Sequence, residues 1–108
     1  MKLFFSPEAL RDLGEIDDYT TDRWGAAQAE RYIRDLNAAC QQLTEKPEHG
    51  SRRADIPPPY LAHAIGSHLI IYRTNTAADC IEILNMLHPA MNIPHRLAAA
   101  LKRPQRRQ

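Results

Sequence analysis

The feature of this sequence that most constrains its fold is a stripe of apolar residues spaced like one face of an α-helix. The spacing is i, i+3, i+4, i+7, i+11 and i+14, and the residues are Ala29, Tyr32, Ile33, Leu36, Cys40 and Leu43. Pro47 ends this helix, because the residue before a proline is pushed out of the helical region. A helix with one apolar face must pack against a second layer, either a sheet or another helix.

A second amphipathic helix is predicted before it, over about residues 7–22. Ser6 suits the N-cap, Pro7 suits the first helical position, and Glu8 complements the positive end of the helix dipole. Its apolar residues are Ala9, Leu10, Leu13, Ile16 and Tyr19. The pair Trp24-Gly25 breaks the pattern, so the two helices are predicted to form a helical hairpin.

The remaining segments have the composition of strands and connections. Residues 3–5 form a short apolar run, and residues 47–59 form a loop whose proline-rich end is predicted to be stiff and extended. Three strands follow, over residues 60–65, 68–73 and 80–87. The last strand is apolar on nearly every position, so we place it in the middle of the sheet, paired with the first strand.

These elements predict an α+β domain in which a two-helix hairpin packs on one face of an antiparallel sheet. The element order is β-α-α-β-β-β, and residues 96–102 allow a short C-terminal helix. We assign residues 1–101 to a single domain and residues 102–108 to a basic, disordered tail. The four cations of that tail either contact nucleic acid or an acidic partner, or form a solvated end.

Composition limits the kind of protein this can be. A formal net charge of +1 is too small to indicate a nucleic-acid or membrane surface by itself. No apolar stretch is long enough for a signal peptide or a membrane span, so a cytoplasmic protein is predicted. Cys40 and Cys80 fit no disulfide or redox pattern and are expected to be reduced core residues.

The histidines and arginines are the side chains that suggest chemistry. No histidine pair has the spacing of a zinc site, and no phosphate-binding or nucleophile motif occurs, so neither metal nor cofactor is expected. One cluster remains: His68, Arg73, His88, Arg52 and Arg53. In a metal-free ribonuclease, His68 and His88 would serve as base and acid, and Arg73 would hold the phosphate. We favour the alternative, a structural histidine and solvated arginines.

Several local strings, in this order and spacing, carry a resemblance to a known family. They are Ser6-Pro7-Glu8-Ala9, Asp12-Leu13, Trp24-Gly25, Gly66-Ser67-His68, Ile71-Tyr72-Arg73 and Leu87-His88. Together they resemble the ParE toxins of bacterial type II toxin–antitoxin systems, within the RelE/ParE superfamily. The resemblance covers about residues 3–97 and leaves only the basic tail outside it.

The resemblance implies a toxin that inhibits DNA gyrase without being a catalyst and is neutralised by a ParD-like antitoxin. The complex would be a hetero-oligomer, such as a heterotetramer, that reaches DNA only through the antitoxin and does not involve a membrane. Antitoxin helices are expected to cross the two helices of the toxin, with an added strand at a sheet edge. The antitoxin-binding residues would be Leu10, Tyr19, Trp24 and Tyr32.

Departures from the family pattern keep two alternatives open. The first is a RelE-type ribosome-dependent mRNA interferase, whose catalytic residues would be His68, Arg73 and His88. The second is a degenerate, non-toxic module that only binds an antitoxin, because Asn85 stands where ParE relatives usually have an arginine. We expect gyrase inhibition, and a structural role for His88.

Overall fold

The computed structural model describes residues 1–102, and its elements follow the predicted order. They are β1 (Lys2–Phe5), α1 (Pro7–Trp24), α2 (Ala26–Glu45), a 3₁₀ turn (Pro47–His49), β2 (Leu61–Ile65), β3 (His68–Asn75), β4 (Cys80–Leu87) and α3 (Ile93–Lys102). The predicted α+β class is therefore confirmed. Lys102 ends α3, and the rest of the predicted tail lies outside the described residues.

The four strands form one sheet in the order β1-β4-β3-β2. The predicted pairing of the first strand with the last is confirmed, with Lys2 opposite Cys80 and Phe5 opposite Ile83. This pair is parallel, whereas β2, β3 and β4 form an antiparallel meander, so the sheet is mixed rather than antiparallel throughout. Parallel neighbours need a long crossover connection, and the segment from α1 to β3 supplies it.

The helical hairpin begins and turns at the residues expected for it. The Ser6 hydroxyl accepts a hydrogen bond from the Ala9 amide at 2.9 Å and donates one to the Leu84 carbonyl at 2.6 Å, which ties the start of α1 to β4. Only Gly25 separates α1 from α2, and its φ of 93° lies in the region that side-chain-bearing residues avoid. The turn therefore holds Trp24 and the first turn of α2 close together.

The sheet carries one apolar core on each face. On the first face, α1 and α2 pack against inward-facing strand residues such as Ile70, Tyr72, Ile81 and Ile83. On the second face, Leu97 of α3 and Ile56 of the long loop pack with a different set of strand residues, which includes Ile71, Leu84 and Leu87. The interior position of β4 between β1 and β3 explains why its sequence is apolar on both faces.

The C-terminal helix and the long loop differ from the expectation. The helix begins at Ile93 rather than at residue 96, because Pro94 fits the first turn and the Asn92 side chain accepts the His95 amide at 3.2 Å. The proline segment of the loop is not extended. The Tyr60 amide donates to the Pro57 carbonyl at 3.1 Å and closes a turn there.

Both cysteines are free and buried, as predicted. Burial raises the pKa of the Cys40 thiol to about 12, so this side chain stays protonated and behaves as a small apolar group. None of the helices in the described part of the chain combines the length and apolar character needed to span a bilayer.

Candidate binding groove

A groove of about 780 Å³ opens between the helical hairpin and the ends of the two central strands. Helix α1 supplies one wall, α2 and the start of β3 supply the next, and the segment from the end of β4 to α3 closes the third. The side chains that give the groove its chemistry are Asp12, Glu15, Tyr19, Arg23, Trp24, Tyr32, His68, His88 and Arg96. We call this feature the α1–β4 groove.

Exposed aromatic rings form the outer part of the α1–β4 groove. Tyr19 and Trp24 are 61% and 64% exposed, which is uncommon for rings of this size on a small domain. The Arg23 guanidinium lies over both rings, 5.7 Å from the Tyr19 centroid and 5.9 Å from that of Trp24. These rings are held on a rigid helix, so they form a preformed surface for a partner.

The structure brings three of the four expected antitoxin-binding residues into this groove. Tyr19, Trp24 and Tyr32 all line it, because the single-residue turn at Gly25 folds α2 back beside the end of α1. Leu10 is 57% exposed but does not line the groove. A partner that used all four residues would therefore have to extend beyond the groove along α1.

A hydrogen-bonded pair links Tyr32 to His68 at the inner end. The Tyr32 hydroxyl accepts from the Ser67 amide at 3.1 Å and lies 2.6 Å from His68 Nδ1. A Cβ atom at Gly66, whose φ is 56°, would stand 2.7 Å from the Tyr32 ring, so this turn requires glycine. The position of the tyrosine thus depends on the turn that begins β3.

His68 and His88 also meet in the groove. Their ring centroids are 5.8 Å apart, with the rings nearly perpendicular. Burial, together with the neighbouring His88, lowers the pKa of His68. His68 is therefore neutral at physiological pH, and its Nδ1 is able to accept the Tyr32 hydroxyl proton.

A polar pair, half-buried Asp12 and buried Asn85, joins α1 to β4. Asp12 Oδ2 accepts hydrogen bonds from the Met86 amide at 2.9 Å and from Asn85 Nδ2 at 3.0 Å. Asn85 is 3% exposed, and its Oδ1 has no hydrogen-bond partner among residues 1–102. Burial raises the pKa of Asp12 even though both hydrogen bonds favour the ionised form.

The residue pair Asp12 and Asn85 was not singled out by the sequence as a site. The two residues are 73 positions apart, and the register of β3 and β4 shifts next to Asn85, where Ile71 pairs with Asn85 and Tyr72 with Ile83. The signal in the sequence was a polar residue, Asn85, in a strand whose other residues are apolar except for Glu82.

The arginines of the ribonuclease hypothesis lie elsewhere. Arg73 Nε donates to Glu82 Oε1 at 2.6 Å, and Arg53 forms a bidentate pair with Asp55 at 2.8 and 2.9 Å. Neither these two arginines nor Arg52 lines the α1–β4 groove. Only the histidines of that cluster come together. Within the described residues, no group of three or more His, Cys, Asp or Glu side chains is arranged to hold a metal ion.

The fold matches that of a solved toxin–antitoxin protein. The structure described as "Chromosomal ParDE TA system from P. aeruginosa" superimposes with a TM-score of 0.71 at 20% identity, over 82% of this chain and 95% of that one. At this level of identity the match shows that the two chains share a fold.

Sequence comparison defines the family. The profile described as "ParE toxin of type II toxin-antitoxin system, parDE" matches residues 3–93. Toxin ParE1 of Mycobacterium tuberculosis is 36% identical over 96 residues, which are 89% of this chain and 97% of that protein. Toxin ParE1 of Caulobacter vibrioides is 36% identical over 87 residues, 81% of this chain and 88% of that protein. The chain belongs to the ParE toxin family of type II toxin–antitoxin systems, and the resemblance drawn from its sequence is confirmed.

Proposed function

We propose that this chain inhibits DNA gyrase in the cytoplasm and is neutralised by a ParD-like antitoxin that binds across the α1–β4 groove. The observation that carries the antitoxin part of the proposal is the aromatic wall, where Tyr19 and Trp24 are more than half exposed on a rigid helix. A helix or extended segment that covers these rings would remove them from water, which is the main driving force of such docking. The ParDE description of the solved relative supports a partner of this kind.

The sheet offers a second place for the antitoxin to pair. β1 lies at one edge, whereas the opposite edge strand, β2, is already bridged by Ser51 at Ala62. An antitoxin strand would therefore add beside β1, close to the start of α1 where Leu10 is exposed. This arrangement would let one antitoxin chain use Leu10 as well as the groove.

Charge placement supports a protein target rather than an RNA substrate. The guanidinium groups of Arg73 and Arg53 are held by Glu82 and Asp55, and in the groove the carboxylates of Asp12 and Glu15 balance the two arginines, Arg23 and Arg96. Carboxylates repel a phosphate backbone, whose binding depends on a surplus of lysine and arginine. Membership of the ParE family, together with this charge distribution, favours gyrase as the target.

One observation favours a second candidate, ribosome-dependent mRNA cleavage. His68 and His88 stand side by side in the groove with Tyr32 hydrogen-bonded to the first of them, which is an arrangement suited to general acid–base catalysis. Asn85 is buried and stands where ParE relatives usually have an arginine, and this difference favours a third candidate, a non-toxic module that only binds the antitoxin.

One induction experiment separates the three candidates. The chain is expressed alone in a bacterium, with and without the product of the neighbouring open reading frame, and growth is followed. Purified gyrase is then assayed for supercoiling and DNA breaks, and translated messages are assayed for cleavage. Gyrase-linked breaks support the proposal, message cleavage lost in His88→Ala supports the second candidate, and absence of toxicity supports the third. Light scattering of the purified complex tests whether it is a heterotetramer.

A further inference from the structure

A pair of histidines lies outside the α1–β4 groove, where the loop after α2 meets the edge strand β2. His49 ends the 3₁₀ turn, and His63 is the middle residue of β2. Their ring centroids are 4.5 Å apart, and the ring planes cross at 76°. The loop thus brings together two residues whose separation in the sequence is not that of a zinc motif. Neither of them lines the groove, so the pair is a separate cluster.

The imidazole nitrogens of this pair are available to a ligand. Among residues 1–102, neither ring forms a hydrogen bond or an ion pair with another group. His49 is exposed and His63 is partly exposed, so a small ligand can reach both rings from solvent. A neutral imidazole has one nitrogen with a free lone pair, and this atom is a common metal ligand.

The turn that carries His49 is held in place by a buried hydroxyl. The Tyr72 hydroxyl donates to the Pro47 carbonyl at 2.6 Å and accepts from the Gly50 amide at 2.8 Å, so it fixes both ends of the turn. A Cβ atom at Gly50 would lie 2.7 Å from that hydroxyl, and the close approach therefore requires glycine. Tyr72 itself is fully buried in the core, which makes it a rigid anchor.

The same loop is joined to β2 beside His63. Ser51 and Ala62 exchange two backbone hydrogen bonds, of 2.8 and 2.9 Å. Ser51 lies just after the turn of His49, and Ala62 lies directly before His63, so this bridge fixes the spacing of the two rings. Side chains on a backbone that is already ordered lose little freedom when they bind a ligand together.

The spacing of the rings matches that of two histidines on one metal ion. Nitrogen-to-zinc distances of about 2.0–2.1 Å place the centroids of two bound imidazoles about 5 Å apart. The rings now meet edge to face, and the last torsion of a histidine side chain is broad, so a rotation can aim one nitrogen of each at a common point. We propose that His49 and His63 together bind one divalent transition-metal ion, of the zinc, nickel or copper type, with water in its remaining positions.

The ligand set determines which ions fit and how tightly. Imidazole nitrogen suits zinc, nickel and copper, whereas Mg²⁺ and Ca²⁺ prefer oxygen ligands. No third His, Cys, Asp or Glu of the described residues joins the pair, so the ion is exchangeable and folding does not require it. Cu²⁺ should bind more tightly than Ni²⁺ or Zn²⁺, and Mn²⁺ should bind most weakly. The bound ion links the turn after α2 to the sheet edge and stabilises the folded chain.

Titration of Zn²⁺ into the full chain, prepared without a histidine tag, tests the site. The ring resonances of His49 and His63 are expected to shift together in NMR spectra, and Mg²⁺ should shift neither. His49→Ala and His63→Ala should each weaken zinc binding by about tenfold or more, as measured by calorimetry. His95→Ala is the matched control and should leave the affinity unchanged, because His95 is exposed and contacts no other histidine ring of residues 1–102.

The second histidine pair provides the competing outcome. The rings of His68 and His88 are 5.8 Å apart, but Nδ1 of the first contacts the Tyr32 hydroxyl and Nδ1 of the second accepts from the Ala90 amide. If zinc shifts these rings instead, or if His88→Ala abolishes binding while His63→Ala does not, the proposal is overturned. It is also overturned if none of the histidine rings responds to Zn²⁺, Ni²⁺ or Cu²⁺ at about 1 mM.

Urea denaturation gives a second readout. Zn²⁺ should raise the midpoint of unfolding of the wild type and leave that of His63→Ala unmoved, because only the intact pair binds the ion. An equal rise in both proteins would contradict the proposal. Circular dichroism checks the fold of each variant. If His63→Ala loses its structure, His63→Gln replaces it, since glutamine keeps a polar side chain of similar size at this position.

Discussion

Strand β4 carries two polar side chains, and their surroundings are opposite. Glu82 is surrounded by donors: Arg73 Nε at 2.6 Å and Asn75 Nδ2 at 2.9 Å reach different oxygens of its carboxylate. Asn85, three residues further on, shares one oxygen of Asp12 with a backbone amide and leaves its own oxygen unpaired in the described structure. In the first cluster, Glu82 with Arg73 and Asn75, both carboxylate oxygens have a hydrogen-bond donor. In the second, Asn85 with Asp12, the Asn85 side-chain oxygen has none among the described residues.

The two clusters are expected to respond differently to substitution. A satisfied, partly buried ion pair joins β3 to β4 away from the groove. The other pair leaves Asn85 Oδ1 buried without a partner among the described residues, and its second member, Asp12, lines the groove. Variants in the Glu82 cluster should therefore change stability, whereas variants at Asp12 and Asn85 should change binding.

The largest effect is expected from Arg73→Ala. It leaves the Glu82 carboxylate partly buried without its cation, so the free energy of unfolding should fall by about 2–4 kcal/mol in urea denaturation. Antitoxin affinity should stay unchanged. Arg34→Ala is the matched control, because the Arg34–Glu30 pair is highly exposed and should contribute less than about 0.5 kcal/mol. Equal losses in both variants would contradict the distinction between the clusters.

Asn85→Arg should place a cation directly beside the Asp12 carboxylate. The new guanidinium can pair with Asp12 in place of the Asn85 amide, which should lower the pKa of that carboxyl below its present raised value. Carbon NMR of the Asp12 carboxyl measures this effect. An unchanged Asp12 pKa would show that the two side chains do not pair.

Tyr32→Phe removes the hydroxyl that joins α2 to the start of β3. The stability should fall by about 1 kcal/mol, because the His68 ring and the Ser67 amide lose a partner. In the tautomer that carries its proton on Nε2, His68 accepts at Nδ1 from the Tyr32 hydroxyl, and loss of this bond to the neutral ring should raise the pKa of His68. Proton NMR titration of the His68 ring follows this change, and Tyr72→Phe, which breaks hydrogen bonds to Gly50 and Pro47 instead, should leave it unmoved.

The smallest effect is the pH dependence that Asp12 gives to stability. Its folded-state pKa is raised above the ordinary value of 3.8, so between those two values the folded state holds the proton more tightly than the unfolded state. Stability from this group is therefore greatest below 3.8 and decreases as the pH rises through the folded-state pKa. The difference in stability between the wild type and Asp12→Asn, measured in urea at several pH values, should move in the variant's favour across that window.

Much of the fold was predictable because local signals and global packing agree. Single residues with restrictive geometry mark the ends of both helices. They are Ser6 at the start of α1, Gly25 between the helices and Pro47 after the end of α2. The central position of β4 followed from its apolar character. The resemblance to the ParE family named four residues for antitoxin binding, and three of them, Tyr19, Trp24 and Tyr32, line one groove.

The chemistry of the groove could not be predicted in the same way. Asp12 and Asn85 meet only through tertiary structure, and the irregular register of β3 and β4 beside Asn85 has no local signature in the sequence. The grouping of His68, Arg73 and His88 into one cluster was not found in the structure for the same reason: Arg73 does not line the groove that contains the two histidines. Its members were joined by residue type alone, and Glu82 holds Arg73 away from the histidines.

The pairing of β1 with β4 has a consequence for how this toxin is made. Strand β1 cannot pair until β4 has been synthesised, because Lys2 pairs with Cys80. The hydrogen bond from the Met86 amide to the Asp12 carboxylate forms equally late. At translation speeds of about 5–20 residues per second, the nascent chain spends seconds without its sheet and without its groove. The groove is therefore a late product of synthesis, because its walls depend on contacts with β4.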